Sequence, residues 1–163
     1  MKFRVEREVL AEALGAAARV ASTRNNAMPA LSGVKLEVIG DQLTLSCTDN
    51  DLSVQFVLPV GGQADGVVVA SAKLLSDIVR AGADGKVTFE SSGEEVHISS
   101  GRAQTTVATF AASDFPHIVL ASAPPVTLSA PLLSEALRQV VRAASSDMHR
   151  LPLTGVLMSA EPE

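Results

Sequence analysis

Apolar and polar residues alternate in short runs along this chain, and two longer stretches replace the alternation with helical spacing. Lys2–Glu6 alternates as a strand, and from Arg7 to Ala21 the apolar side chains recur every three or four residues. That spacing predicts an amphipathic helix with one packed face. Three period-two runs follow, which predict strands at Val34–Val38, Leu43–Cys47 and Leu52–Leu58.

The same order then begins again. Val67–Ala70 reads as a strand, Ser71 as a helix N-cap, and the residues after it as a second apolar stripe at Leu74, Leu75, Ile78 and Val79. Three more alternating runs predict strands at Val87–Phe89, Val96–Ile98 and Ala103–Thr109. The pattern predicts an α+β domain of two βαβββ units, with two helices packed on one side of antiparallel sheets.

The chain also repeats its own beginning near its end. LAEAL followed by Arg19 and Pro29 matches LSEAL followed by Arg142 and Pro152 at one constant offset. An offset this long corresponds to a whole domain, because solenoid repeats span only about 20–50 residues. We therefore expect a complete domain at 1–121 and part of a second at 126–163. That part would consist of a strand at Val126–Leu128, a helix at Ala130–Ala144 and a strand at Gly155–Ser159.

Composition narrows the possible classes of protein. The 163 residues are 47% hydrophobic and 19% charged, which predicts a globular chain. The net charge of −5 argues against a protein that grips nucleic acid over its whole surface, although it allows a local basic strip. Neither an apolar run long enough to span a membrane nor a secretion signal is recognisable, so we expect a soluble, cytoplasmic protein.

Catalytic and metal-binding motifs are not recognisable in the sequence. The three histidines, His97, His117 and His149, are scattered and lack a second ligand at helical spacing. Cys47 lies in an alternating run and is expected in the core, and Asp49–Asp51 is expected to be a hairpin turn. We therefore predict a protein that is not an enzyme and that has no cofactor and no metal.

Basic residues on the predicted helices and their loops are the remaining candidates for chemistry. Arg138 and Arg142 are like charges four residues apart, a spacing that slightly destabilises a helix. The pair is best explained if both side chains face a polyanion. Lys73 and Arg80 share a face with Asp77 between them, and a simple Lys73–Asp77 pair on a solvated helix is an equal alternative. Because the chain has no Tyr or Trp, contacts to nucleic acid would be to phosphates and independent of sequence.

Several segments together resemble a known family. MKFRVEREVL, PALSGVKLE, LTLSCTDNDLSV, VVVASAKLLSDIVRA, SSGRAQTTVATF followed by ASDFP, and the later LPLTGV are similar to the β subunit of bacterial DNA polymerase III, the sliding clamp. The resemblance covers the whole chain and implies the DNA clamp fold. In that family each protomer has three such domains, and two protomers join head to tail into a ring around duplex DNA.

The resemblance implies a role for the basic residues and a set of joint residues. Phosphate contacts are expected at Arg24, Lys73, Arg80, Arg138, Arg142, His149 and Arg150. The protomer interface is expected at Leu74, Ile78, Arg102, Gln104, Thr105 and Val107. Thr105 stands where a large apolar anchor is expected, which predicts a weaker joint.

The function implied is that of a non-catalytic processivity factor that binds double-stranded DNA without sequence preference. The partners implied for the full-length protein are the replicative polymerase, the clamp loader and a second protomer, with no membrane. Because the third domain and most of the second are absent, we expect that this polypeptide alone neither encircles DNA nor binds clamp-binding peptides. The alternative is a stand-alone clamp-like module that binds a partner through an exposed edge strand or the helix at Ala130–Ala144. A small hydrolase, the third hypothesis, lacks any motif.

Overall fold

The computed structural model describes residues 1–21, 28–118 and 127–159, and the chain divides into two compact units, Met1–Val119 and Leu120–Glu163. Two helices of the first unit are α1 (Arg7–Val20) and α2 (Ala72–Ala81). Its strands are β1 (Lys2–Glu6), β2 (Gly33–Ile39), β3 (Gln42–Thr48), β4 (Ser53–Pro59), β5 (Gly61–Ala64), β6 (Gly66–Ser71), β7 (Lys86–Ser92), β8 (Glu95–Ser100) and β9 (Ala103–Phe110). The predicted α+β fold with two βαβββ units is confirmed, with one strand added.

All neighbouring strands pair antiparallel, in the order β4-β3-β2-β6-β9-β8-β7-β1-β5. The two repeats exchange their first strands, because β1 pairs with β7 and β6 pairs with β2. Within the second repeat the end of β9 leaves β8, and Thr109 and Phe110 pair with Ala70 and Val69 of β6. β4 and β5 mirror this arrangement on the other repeat, because β4 pairs with β3 and β5 continues onto β1. β4 and β5 can therefore be described as one strand interrupted at Val60, whose first part pairs with β3 and whose second part pairs with β1.

The sequence did not predict β5, whose Gly-Gly-Gln-Ala run lacks alternating apolar residues. Tertiary contacts form it instead. The Val60 N–H donates to the Asp41 carbonyl at 2.9 Å, and the Gly62 N–H donates to the Asp41 carboxylate at 3.0 Å. A side chain at Gly62 would collide with the carbonyl oxygen of Gly40. Glycine thus lets β5 lie directly against the turn between β2 and β3.

One hydrophobic core joins both helices to both halves of the sheet. α1 buries Leu10, Leu14 and Ala17, and α2 buries Leu75 and Val79. These faces meet the inward side chains of the strands, including Phe3 and Phe89, whose rings stack with centroids 5.0 Å apart. Ser71 caps α2 as predicted, because its hydroxyl accepts the Leu74 N–H at 3.4 Å.

The hairpin turn expected at Asp49–Asp51 is present. The Asp49 carboxylate accepts the N–H groups of Asp51 and Leu52 at 3.1 and 2.7 Å, and Asn50 takes the left-handed conformation with φ 80°. The bond from the Leu52 N–H is the main cause that holds the pKa of Asp49 below its ordinary value. These hydrogen bonds give the acidic residues of this turn a structural role.

The second unit contains a helix, α3 (Ala130–Val140), and two 3-10 turns, Val141–Ala143 and Met148–Leu153. Strands were expected at Val126–Leu128 and Gly155–Ser159, but residues 127–129 and 155–159 form no β-bridge, and Val126 lies outside the described residues. A strand requires a hydrogen-bonded neighbour, and the described part of this unit supplies none. The helix also ends four residues earlier than Ala144, at the β-branched pair Val140 and Val141.

Replacing Gly62 with alanine tests the packing of β5. We expect the free energy of unfolding to fall by about 1–3 kcal/mol, because the new methyl group overlaps the Gly40 carbonyl and the backbone has to move. Urea denaturation measures the change. The matched control is Gly61→Ala, whose Cβ lies an ordinary 3.7 Å from the Arg4 carbonyl oxygen and should alter stability by about 0.5 kcal/mol or less. Equal effects of the two variants would contradict this account of β5.

Cys47 offers a second test, since it is the single cysteine of the chain and is completely buried. Burial raises the pKa of its thiol to about 11. We expect no reaction with a thiol reagent at pH 8 in native buffer and one reacting thiol per chain in denaturant. Because the folded pKa lies above the unfolded value, stability should also fall as the pH rises from about 9 towards 11. Fast labelling of the native protein would show that this part of the core opens readily.

Candidate nucleic-acid interface

Helices α1 and α2 lie side by side, and a glycine in α1 sets how closely α2 approaches. Gly15 is buried although it lies off the stripe formed by Leu10, Leu14 and Ala17. Arg80 of α2 covers it: a Cβ at Gly15 would lie 2.5 Å from the Arg80 Nη2 atom. The absence of a side chain at this position therefore lets the Arg80 guanidinium lie across the middle of α1.

Arg80 also borders a groove of about 430 Å³ between α1 and the β4 edge. Two charged residues of α1, Glu12 and Arg19, line the same groove, and its apolar wall comes from Val9, Ala13, Ala16, Phe56 and Leu58. The side chains of Arg19 and Arg80 are exposed. Arg19 of α1 and Arg80 of α2 therefore line the same groove.

Lys73 is exposed near the start of α2, one helical turn before Asp77. The alternative of a Lys73–Asp77 ion pair is not realised among the described residues, where Lys73 forms no salt bridge. Arg19 and Arg80 likewise have no carboxylate within salt-bridge distance in that part of the chain. Among the described residues, therefore, these three cations of α1 and α2 have no carboxylate partner.

Charges elsewhere in the first unit are distributed differently. α1 and α2 hold four basic and three acidic residues, whereas the remaining described residues of this unit hold five basic and eleven acidic ones. Lysines on the strands also pair internally: Lys2 with Glu90 at 2.9 Å and Lys35 with Glu37 at 3.1 Å. The hydrogen bond from Lys2 is the main cause that lowers the pKa of Glu90. Among the described residues of the first unit, the helices are therefore the part with a positive net charge, and they are the part that can attract a polyanion.

The other predicted phosphate contacts lie outside this surface. Arg24 falls outside the described residues. Arg138 on α3 pairs with Glu135 at 3.0 Å, so its charge is partly compensated within its own helix. Arg142 lies in the 3-10 turn after α3, because α3 ends at Val140, and His149 and Arg150 lie in the next 3-10 turn, all three exposed. Arg138 and Arg142 therefore lie on α3 and in the 3-10 turn that directly follows it, rather than on one α-helix as expected.

The predicted joint residues divide into two groups. Ile78 and Thr105 line one depression of about 180 Å³, and Leu74 is 45% exposed one turn away on α2. Arg102 and Gln104 are exposed at the start of the β8–β9 hairpin and of β9. Val107, by contrast, is 4% exposed and belongs to the core, since residues alternate between the two faces of β9. Its side chain is not available for a protomer contact.

Sequence reasoning missed Gly15 and Arg19 as parts of this surface. A glycine inside a helix costs about 1 kcal/mol relative to alanine, which signals a close approach of another group. In the sequence, Arg19 stands out only as a position that the repeat shares with Arg142. Which groove it borders depends on how β4 packs against α1, and helical periodicity carries no information about that.

Comparison with known proteins identifies the family. Residues 1–119 match the family model of the DNA polymerase III beta subunit, N-terminal domain. The chain belongs to this family. The match ends at the boundary between the two compact units.

Relatives of this clamp family align along nearly the whole chain. A beta sliding clamp of Micrococcus luteus is 32% identical over 99% of this chain and 52% of its own length, and one of Streptomyces coelicolor is 33% identical over 99% and 43%. A crystal structure of the DNA polymerase sliding clamp from Caulobacter crescentus superimposes with a TM-score of 0.86 at 30% identity, covering 95% of this chain and 43% of that one. The chain thus spans about half the length of the relatives it matches.

The described residues contain neither a membrane-spanning helix nor a cluster of potential metal ligands. None of the described helices is long and apolar enough to cross a membrane. Within residues 1–21, 28–118 and 127–159, no three potential ligands among His, Cys, Asp and Glu come together as a metal site would require.

A double-mutant cycle between Gly15 and Arg80 tests the contact that shapes this surface. In helix propensity alone, Gly15→Ala should stabilise the protein by up to about 1 kcal/mol. The new methyl group also displaces the Arg80 guanidinium, and this displacement offsets part of that gain. In an Arg80→Ala background the same substitution should stabilise the protein more. Urea denaturation of the four proteins gives the coupling energy. A coupling energy of zero would mean that Arg80 does not rest on Gly15 in solution.

Proposed function

We propose that this chain contributes the first domain of a DNA sliding clamp, a non-catalytic subunit that keeps a replicative polymerase on duplex DNA. Family membership and the clamp fold support the proposal. The observation that carries it is the charge distribution: Arg19, Lys73 and Arg80 lack salt-bridge partners among the described residues, while most of the acidic residues lie on strands and turns. A helix layer with free cations attracts phosphates, and an acidic sheet layer repels them.

Contacts from this surface would be to the DNA backbone and independent of base sequence. Lys73 and Arg80 are the contacts proposed for the first unit, and Arg19 joins them because it borders the same groove as Arg80. Arg24, Arg138, Arg142, His149 and Arg150 remain proposals from the resemblance alone. Exposed side chains that contact only phosphates allow a protein to move along the duplex, which suits a sliding clamp.

We propose that the second unit, from residue 126 onwards, is the beginning of a second clamp domain. Its local structure supports this. α3 is followed by a 3-10 turn at Met148–Leu153 that contains Pro152, just as α1 is followed along the chain by a 3-10 turn at Pro29–Ser32. Pro29 and Pro152 are equivalent in the sequence repeat, so the same order of elements recurs where the repeat places it.

We propose that the joint between protomers forms at β9 and α2. Ala103–Ala108 pair with β8 on one side, and no described strand pairs with their other side. An open strand edge next to the apolar pair Leu74 and Ile78 can extend its sheet into a neighbouring subunit. The joint residues are then Leu74, Ile78, Arg102, Gln104 and Thr105, without Val107.

In this proposal, ring closure and the binding of the polymerase and the clamp loader require the full-length protein, because this chain spans about half the length of its relatives. The site of action would be the bacterial cytoplasm, where the chromosome is replicated. Neither a metal nor a cofactor is needed for a protein that acts by holding DNA.

Charge removal from the helix layer tests the DNA proposal. We expect Lys73→Ala and Arg80→Ala each to weaken binding to a labelled duplex and to reduce the slope of log affinity against log salt by about 1. Fluorescence anisotropy over a series of salt concentrations measures both quantities. Two duplexes of unrelated sequence should give the same result, because only phosphates are contacted.

Arg4→Ala is the matched control, since it removes the same charge from an exposed position on strand β1. It should leave the salt slope unchanged. An affinity that all three substitutions leave unaltered would contradict DNA contact through the helices. That result would favour the alternative of a clamp-like module that binds a protein partner.

A further inference from the structure

The three α-helices of the chain share one arrangement of apolar positions. Counted from the first residue of each helix, the fourth residue is always leucine and the eighth is leucine or valine. In α1 and α2 these side chains are at most 1% exposed: Leu10, Leu14, Leu75 and Val79. Their counterparts in α3, Leu133 and Leu137, are partly exposed, and α3 has no buried residue. α3 therefore has the packing face of α1, but the described residues do not bury it.

In the first unit, each repeat completes the other. α1 and α2 lie side by side, and the first strand of each repeat pairs with the strand that follows the helix of the other repeat. β1 thus pairs with β7, and β6 pairs with β2. The exchange is reciprocal, as in a contact with two-fold symmetry. In this arrangement the first strand of a repeat does not pair with the strand after its own helix.

The second unit contains the elements of one such repeat. α3 lies between residues 127–129 and residues 155–159, which have strand patterns but form no β-bridge. By analogy with the first unit, these two segments would pair with the corresponding segments of another repeat rather than with each other. The described part of the second unit contains a single α-helix, so the matching repeat has to come from elsewhere.

The apolar surface of the second unit is large enough for a stable contact. Ten large apolar side chains in residues 127–159 are between 37% and 93% exposed. They are Leu128, Leu132, Val140, Val141, Met148, Leu151, Leu153, Val156, Leu157 and Met158. A stable interface buries about 800 Å² on each partner, and ten such side chains can supply most of that area.

The charged residues of α3 fit a contact with a second α3. Glu135 and Arg138 are the sixth and ninth residues of their helix, the positions that Glu12 has in α1 and Arg80 has in α2. Glu12 and Arg80 line one groove although they belong to different helices. In two α3 helices packed like α1 and α2, Glu135 of each copy would therefore face Arg138 of the other, and the contact would hold two carboxylates and two guanidinium groups.

We propose that the second units of two copies of this chain pair symmetrically, α3 against α3, with residues 127–129 of each copy beside residues 155–159 of the other. The proposal rests on the equivalence, proposed above, between the second unit and a clamp repeat, and it adds a partner for that unit. Because the contact joins identical surfaces, association through it stops at a dimer.

Charge-reversed variants test the contact between the two helices. All chains in the experiment carry Thr105→Lys, which places a charge in the depression beside β9 and so removes the joint proposed above. Arg138→Glu gathers four carboxylates at the contact, and Glu135→Arg gathers four guanidinium groups; both side chains are exposed. Light scattering after size exclusion should show a dimer without these changes, and a dissociation constant raised about tenfold or more by either one alone. An equimolar mixture of the two variants should form the dimer again, because an acidic surface then meets a basic one.

A matched pair of lysine substitutions tests the apolar face. Leu137→Lys places a charge at the eighth position of α3 and should give a monomer. Ile39→Lys, the control, places the same charge on an apolar side chain of the first unit that is 67% exposed, and it should leave the dimer intact. Circular dichroism shows whether each variant keeps its secondary structure.

Hydrogen exchange tests the strand pairing. The amides of residues 127–129 and 155–159 should exchange more slowly as the concentration rises, because pairing engages alternate N–H groups of each strand. The amides of β2 and β3, which are paired within the first unit, should not change. Exchange at 127–129 and 155–159 that is independent of concentration would overturn the exchanged pairing.

The outcomes separate this inference from the joint proposed at β9. If the Thr105→Lys chain is a monomer at high concentration, this inference fails while the β9 joint can stand. If it associates to the same extent as the native chain, the β9 joint fails while this inference stands. A dimer that Leu137→Lys leaves intact, or a mixture of the charge-reversed variants that stays monomeric, also overturns the inference and leaves the apolar face of α3 to a different protein partner.

Discussion

Each βαβββ repeat of this protein has an apolar helix face and an apolar sheet face that it cannot cover alone, and the two repeats cover them together by exchanging their first strands. β1 of the first repeat pairs with β7 of the second, and β6 of the second pairs with β2 of the first. This exchange brings Phe3 against Phe89 and places both helices over one core. Burial of that shared core, which is the dominant favourable term in folding, depends on it.

The same exchange determines which surfaces are left for function. The last strand of each repeat stays with its own repeat, and among the described residues β4 pairs only with β3 and Ala103–Ala108 of β9 pair only with β8. The helices, packed on each other over Gly15, carry the exposed cations Arg19, Lys73 and Arg80, whereas most of the acidic residues of the described first unit lie on strands and turns. Edges suited to subunit contact and cations suited to phosphate contact are thus consequences of one packing solution.

Periodicity predicted the elements that bury their own apolar faces. α1, α2 and eight of the strands of the first unit lie where the alternation and the helical spacing placed them, because the side chains that define each pattern are the ones that enter the core. The strands expected in the second unit show the limit of this reasoning. Residues 127–129 and 155–159 have suitable patterns but no described neighbour to pair with, and a strand is stable only within a sheet.

By itself, the sequence determined the repeat, the fold class, the family resemblance and the basic residues of the helices, since each is written in residue order and spacing. Only the tertiary structure decided that β5 forms, that Val107 is buried, that Arg80 lies over Gly15 and that Arg19 shares its groove. These features arise between residues far apart in the chain. They depend on which strands pair across the two repeats and on how closely the two helices approach, and local pattern carries no information about either.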